Sequence, residues 1–198
     1  MKKLTIILIL LVGKLSFAQA PFTMVQQDFK QVIRDTVPDP VPTTIFLLDQ
    51  PVKHGFSTGP FALITSGWHE LLWFVNYAKG DFSCGGAIGA EQGKEKWSER
   101  GALWGKFAPK LRDTTKTIEI FSLWELGEGR NNYWYYNSIT YEAKQVSLGV
   151  MMKRTYGVGP IIGEKSSFVG VKFKLSLWIP YDHEDKFFKP TAVLTMTN

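Results

Sequence analysis

The chain has 198 residues, 44% hydrophobic and 14% aromatic, with 23 Lys and Arg, 18 Asp and Glu, and one cysteine. That length suffices for one domain with a full core or for one closed barrel, and the lone Cys84 excludes an intramolecular disulfide. Lys2, Lys3 and Lys14 lie in the first 18 residues, so the remainder carries 20 basic and 18 acidic residues, a net charge of +2 that argues against a nucleic-acid partner.

Residues 1–18 read as an export signal. Met1-Lys2-Lys3 is a basic start, Leu4 to Val12 is an apolar run too short to span a bilayer, and Ser16 and Ala18 supply small residues at the −3 and −1 positions. A cut after Ala20 would set Pro21 beside the scissile bond, where its ring and missing N–H hinder a peptidase, so the mature chain is expected to start at Gln19. The Ala18-Gln19 junction resembles signal peptides of the Bacteroidota, so export is the expectation, to the outer membrane if the strand pattern described below forms a membrane barrel and otherwise to the periplasm or extracellular space.

Residues 19–58 read as an N-terminal extension. Thr23-Met-Val-Gln26 has capping-box spacing, and Val25, Phe29, Val32 and Ile33 recur at helical intervals, which predicts a helix over 24–35. Pro38, Pro40 and Pro42 then predict an extended linker over 37–42. From 59 to 198, aromatic and β-branched runs alternate with polar turns, predicting strands over 61–66, 70–78, 82–91, 97–108, 115–126, 132–144, 145–152, 156–162, 168–179 and 191–197. Lys153-Arg-Thr155 is either a turn or the middle of one long strand, so the expected fold is an all-β, antiparallel up-and-down barrel of about eight to ten strands.

Alternation is strictest in Val169–Ile179. Val169, Val171, Phe173, Leu175, Leu177 and Ile179 share one face, opposite Gly170, Lys172, Lys174, Ser176 and Trp178. A soluble barrel or sandwich that binds a small apolar ligand produces the same period. The opposite faces decide between them: they hold mainly Gly, Ser, Thr and Met, as a narrow barrel interior requires, and strand-end aromatics such as Trp97, Trp124 and Tyr133 match interfacial girdles. By phase, Glu119, Glu142, Lys172 and Lys174 fall on inner faces, where opposite charges can pair across the lumen, and the six apolar residues of Val169–Ile179 become lipid-facing.

Over 59–198 this architecture resembles small bacterial outer-membrane β-barrels. The resemblance implies a non-enzymatic barrel with a structural, adhesive or narrow-pore role, a lipid bilayer as partner, and other envelope proteins as further partners.

Motifs for chemistry are sparse. His69-Glu70 lacks the second histidine of a zinc helix, Gly85-Gly86-Ala-Ile-Gly89 lacks the context of a phosphate loop, and no nucleophile elbow occurs. Asp182-His-Glu-Asp185 reads as a solvated hairpin. No catalytic residue, metal ligand or cofactor site is assigned; a barrel-embedded hydrolase, with Ser66 and His69 as its residues, is the weakest alternative. Mass analysis of the exported protein is expected to show an N-terminus at Gln19, and a retained Met1 refutes the export signal.

Overall fold

The computed structural model describes residues 22–34, 37–65, 67–92, 97–112, 115–128, 133–154, 156–183 and 186–198. Its strands are β1 (Phe22–Arg34), β2 (Val37–Pro51), β3 (Phe56–Ile64), β4 (His69–Lys79), β5 (Phe82–Gln92), β6 (Trp97–Phe107) and β7 (Thr117–Gly127). These are followed by β8 (Tyr133–Glu142), β9 (Val146–Lys153), β10 (Gly157–Phe168), β11 (Val171–Trp178), β12 (Tyr181–Asp182), β13 (Phe187–Phe188) and β14 (Thr191–Thr197). Each strand from β1 to β10 pairs antiparallel with the next, β11 pairs with β14, and β14 pairs with β1. Among the described residues the result is a closed antiparallel barrel of twelve strands. The two-residue β12 and β13 form a small hairpin between β11 and β14.

The expected fold class is the observed one, with a larger strand count. Ten of the twelve barrel strands fall within Phe56–Thr197, and β1 and β2 add the other two. The segment expected to be a helix over 24–35 and a linker over 37–42 instead forms these two strands, paired from Phe22↔Asp49 to Arg34↔Val37. Val25, Phe29 and Ile33 recur every four residues, a spacing that satisfies a period of two as well as one of 3.6, so the sequence signal was degenerate. Pro38, Pro40 and Pro42 occupy alternate positions, which puts their missing donors on one edge of β2. Proline is admitted on a free strand edge, and β2 pairs with β3 only from Thr44 onward.

Other boundaries also moved. Lys153 and Gly157 face each other across a turn, so β9 and β10 are separate strands. Gly163-Glu-Lys-Ser166, which falls between the strands expected over 156–162 and 168–179, lies within β10, and the chain reverses instead at Val169-Gly170. Both turn residues have positive φ (48° and 79°), the combination that a tight two-residue hairpin demands. Val169 is therefore a turn residue at the rim, exposed to 83%, and β11 starts at Val171. Gly157, with φ 95°, is required by packing too, because a Cβ there would lie 1.8 Å from the Tyr181 carbonyl oxygen.

Alternation along each strand separates a buried inner face from an exposed outer one. On β4, Glu70, Leu72 and Phe74 are buried while Leu71, Trp73 and Val75 are exposed. The inner faces assemble two apolar clusters. Leu72, Phe74, Ala87 and Ala102 pack with Leu47, Phe61, Trp104 and Leu123; Met151, Tyr156, Ile161, Trp178 and Val193 pack with Tyr136. One rim, where β1 begins and β14 ends, is called the terminal rim here; the β12–β13 hairpin lies at the opposite, far rim. Because β14 reaches β3 only through β1 and β2, deletion of residues 19–58 is expected to abolish the β circular-dichroism signal of the refolded protein. An unchanged spectrum after that deletion places both strands outside the barrel.

Candidate functional site

Polar groups enter the lumen in layers near the two rims. At the far rim β4, β5, β6 and β7 bring together Glu70, Glu91, Arg100 and Glu125, all buried. Glu70 and Glu91 stand directly opposite one another, and Arg100 lies between Gly89 and Gly127 in register. Gly127 leaves the room this needs, since a Cβ there would fall 3.0 Å from Glu91 Oε1 and 3.2 Å from Arg100 Nη1.

The guanidinium is the hub. Arg100 Nη1 donates to Glu91 Oε2 at 2.9 Å, and Nη2 and Nε donate to Glu125 Oε2 at 2.7 and 3.0 Å. Glu91 also accepts from Trp68 Nε1 at 2.9 Å and from Ser98 Oγ at 3.3 Å, while the Trp68 ring lies 5.3 Å from the guanidinium carbon. Glu70 is different: at 2% exposure it has only Arg100 Nε at 3.6 Å, and neither carboxylate oxygen has a hydrogen-bond partner. Three carboxylates thus surround one guanidinium, which occupies the place a metal ion would need; no metal-binding group of three or more His, Cys, Asp or Glu occurs among the described residues.

Across the same rim the Lys153 ammonium sits 4.0 Å from the Tyr156 ring centroid, 5.2 Å from Trp178 and 5.4 Å from Trp134. Tyr136 stacks on Trp178 at 5.6 Å. The β12–β13 hairpin closes the layer with a buried Asp182–Lys189 pair. Asp182, expected in a solvated turn, is therefore buried, because alternation continues from Trp178 through Pro180 to Asp182 and turns all three inward.

The sequence-derived interior charges belong to the terminal rim. Glu142 bonds Lys174 at 2.8 Å, Lys165, and Ser147 Oγ at 2.8 Å. Glu119 lies 3.8 Å from Lys106 on the neighbouring strand, and Lys172 is exposed at the rim. These pairs link strands of one stretch of wall, with Glu142 on β8 reaching β10 and β11. Among the apolar positions Leu175 and Leu177 are exposed on the outer face, and Val171, Phe173 and Ile179 are half-buried. His69 is exposed on β4, and Ser66 lies outside the described residues.

Sequence reasoning missed the Glu70–Glu91–Arg100–Glu125 layer. The available signal was phase: Glu70 shares its face with Leu72 and Phe74, and a lone carboxylate on an apolar face calls for a buried partner. No family model, curated protein or solved structure matches the chain.

Breaking a buried ion network by removing its central cation leaves uncompensated carboxylates. Arg100→Ala is expected to destabilise the folded protein by about 3–5 kcal/mol in urea unfolding. Glu70→Gln, which removes a carboxylate without a hydrogen bond, is expected to be neutral or stabilising. A loss with Glu70→Gln as large as with Arg100→Ala contradicts the hub role of the arginine.

Proposed function

We propose that this chain is a non-enzymatic bacterial outer-membrane β-barrel with a closed lumen, serving as a structural or adhesive element of the envelope. The observation that carries the proposal is the inversion of polarity between its faces. Leu71, Val75, Ile88, Leu103, Ile139 and Leu175 are exposed on the outside, while Glu70, Glu91, Arg100, Glu125, Ser147 and Lys153 are buried within. An outer face this apolar is costly in water and suits hydrocarbon, and the lumen then houses the charges.

Aromatic residues flank the aliphatic band. Phe82, Phe107, Tyr141 and Phe168 lie on the outer face towards the terminal rim, and Trp97, Trp124 and Tyr133 towards the far rim, the distribution of interfacial girdles. An eleven-residue strand such as β4, tilted at about 40°, spans roughly 28 Å, enough to cross the hydrocarbon. No helix among the described residues is long and apolar enough to cross a membrane.

Closure favours a structural or adhesive role over conduction. Leu72, Phe74, Met151, Ile161 and Val193 are buried in the lumen, and the Arg100 and Lys153 layers lie above them. The soluble ligand-binding alternative requires the apolar faces to turn inward around a cavity, whereas most of the large exposed aliphatic side chains lie outside.

In a Cys84→Ala background reconstituted in vesicles, Leu175→Cys and Leu103→Cys are expected to react with a bilayer-partitioned thiol probe and to resist a charged aqueous one. Fast aqueous labelling at both positions, with the protein recovered in the soluble fraction of cells, overturns the membrane assignment. Leu175→Arg is expected to cost about 2–4 kcal/mol of stability in the bilayer.

A further inference from the structure

Five hairpin connections lie at the terminal rim, joining β2 to β3, β4 to β5, β6 to β7, β8 to β9 and β10 to β11. Each presents an exposed lysine, in that order Lys53, Lys79, Lys110, Lys144 and Lys172, and none of these has an ion-pair partner among the described residues. The exposed acidic side chains of the same rim, among the described residues, are Asp81 and Glu164. Among the described side chains of the far rim, Glu99 and Glu128 are exposed against one exposed lysine, Lys186. The cationic excess belongs to one mouth of the barrel.

An exposed aromatic side chain of the outer face accompanies each lysine. Phe56, Phe107 and Tyr141 stand three residues from Lys53, Lys110 and Lys144, Phe168 stands four from Lys172, and Phe82 faces Lys79 across the β4–β5 hairpin. The lysines therefore lie just beyond the aromatic girdle of this rim, at the level where a bilayer gives way to water. They are also spread round the ring. Successive hairpins are two strands apart, roughly 10 Å, and together they occupy ten consecutive strands of the twelve, β2 to β11.

We infer that the terminal rim is a docking surface for the anionic phospholipid headgroups of the leaflet around it, with a phosphate against each lysine and the neighbouring ring at the boundary between headgroup and acyl chain. A phosphodiester accepts from an ammonium, and an anionic leaflet attracts basic residues held at its surface. A zwitterionic headgroup brings its own cation and leaves the excess standing. The belt-like spread of the charge decides the partner: a leaflet meets the barrel on every side, a protein partner meets one side, and a small soluble anion cannot bridge lysines this far apart. The inference rests on the membrane reading above and adds to it which mouth of the barrel selects lipid, and by what charge.

Cys84, half-buried and in the same outer phase as Phe82, can carry the reporter. The full mature chain, labelled there with a small fluorophore, is folded at low ionic strength into vesicles of phosphatidylcholine and phosphatidylglycerol, one lipid or the other brominated in its acyl chains. Quenching is expected to show phosphatidylglycerol enriched beside the label about fivefold, the ratio that one lysine–headgroup attraction implies, with the enrichment lost at high salt. The same label on Leu126→Cys in a Cys84→Ala background, on the outer face towards the far rim, should show no such preference. Replacing Lys53, Lys79, Lys110 and Lys144 together by Gln should bring the ratio at Cys84 close to one while both lipids still quench. Equal quenching by the two lipids in the unaltered chain, a preference that survives the four substitutions, or an equal preference at position 126 overturns the inference and leaves the membrane reading intact. Absence of quenching by either lipid overturns both.

Discussion

The pairing of β1 with β14 turns a meandering sheet into a barrel, and the remaining features depend on it. Seven residues of β1, Met24 to Lys30, meet Thr197 to Thr191 in antiparallel register. Without that seam both strands would present rows of unpaired N–H and C=O groups, which are a template for aggregation in water and are inadmissible in hydrocarbon. With it, every barrel strand has two neighbours, and the two faces of the sheet become an inside and an outside. Bulk and charge can then be assigned to each independently.

The inside is filled in a way that follows from side-chain size. Small inward residues on β5, such as Gly85 and Ala87, stand beside bulky ones on the flanking strands; Phe74 and Trp104 meet edge to face at 5.9 Å. Aromatic residues carrying an N–H find acceptors: Trp68 donates to Glu91, Trp104 to Asn76 at 3.3 Å and, on the outer face, Trp124 to Ser122 at 3.1 Å. Charges are set towards the rims, where loops and solvent are near, and apolar clusters take the interior between them. Desolvating an ion is costly, and that cost is offset only where several partners converge, as they do on Arg100.

Much of this plan could be read in the chain before its fold. The periodicity of Val171–Trp178 has Leu175 and Leu177 on the opposite face from Ser176 and Trp178, and the structure separates them in that way. Glu142 and Lys174 shared an inner phase and are ion-paired. Misreadings arose where a local pattern fits two structures. Val25, Phe29 and Ile33 suit a helix and a strand equally, and Gly163-Glu-Lys-Ser166 has the composition of a turn while continuing the alternation of β10.

The sequence by itself determined the all-β character, the grouping of residues into two faces of each strand, and the absence of disulfide stapling, because each follows from local period or from composition. Tertiary structure alone decided which face is the interior, how many strands close the ring, and which charges meet. A period of two is symmetric between inside and outside, so only closure breaks the tie. Arg100 and its carboxylates come from four strands spread over Glu70 to Glu125, and nothing short of the register of those strands could have brought them together.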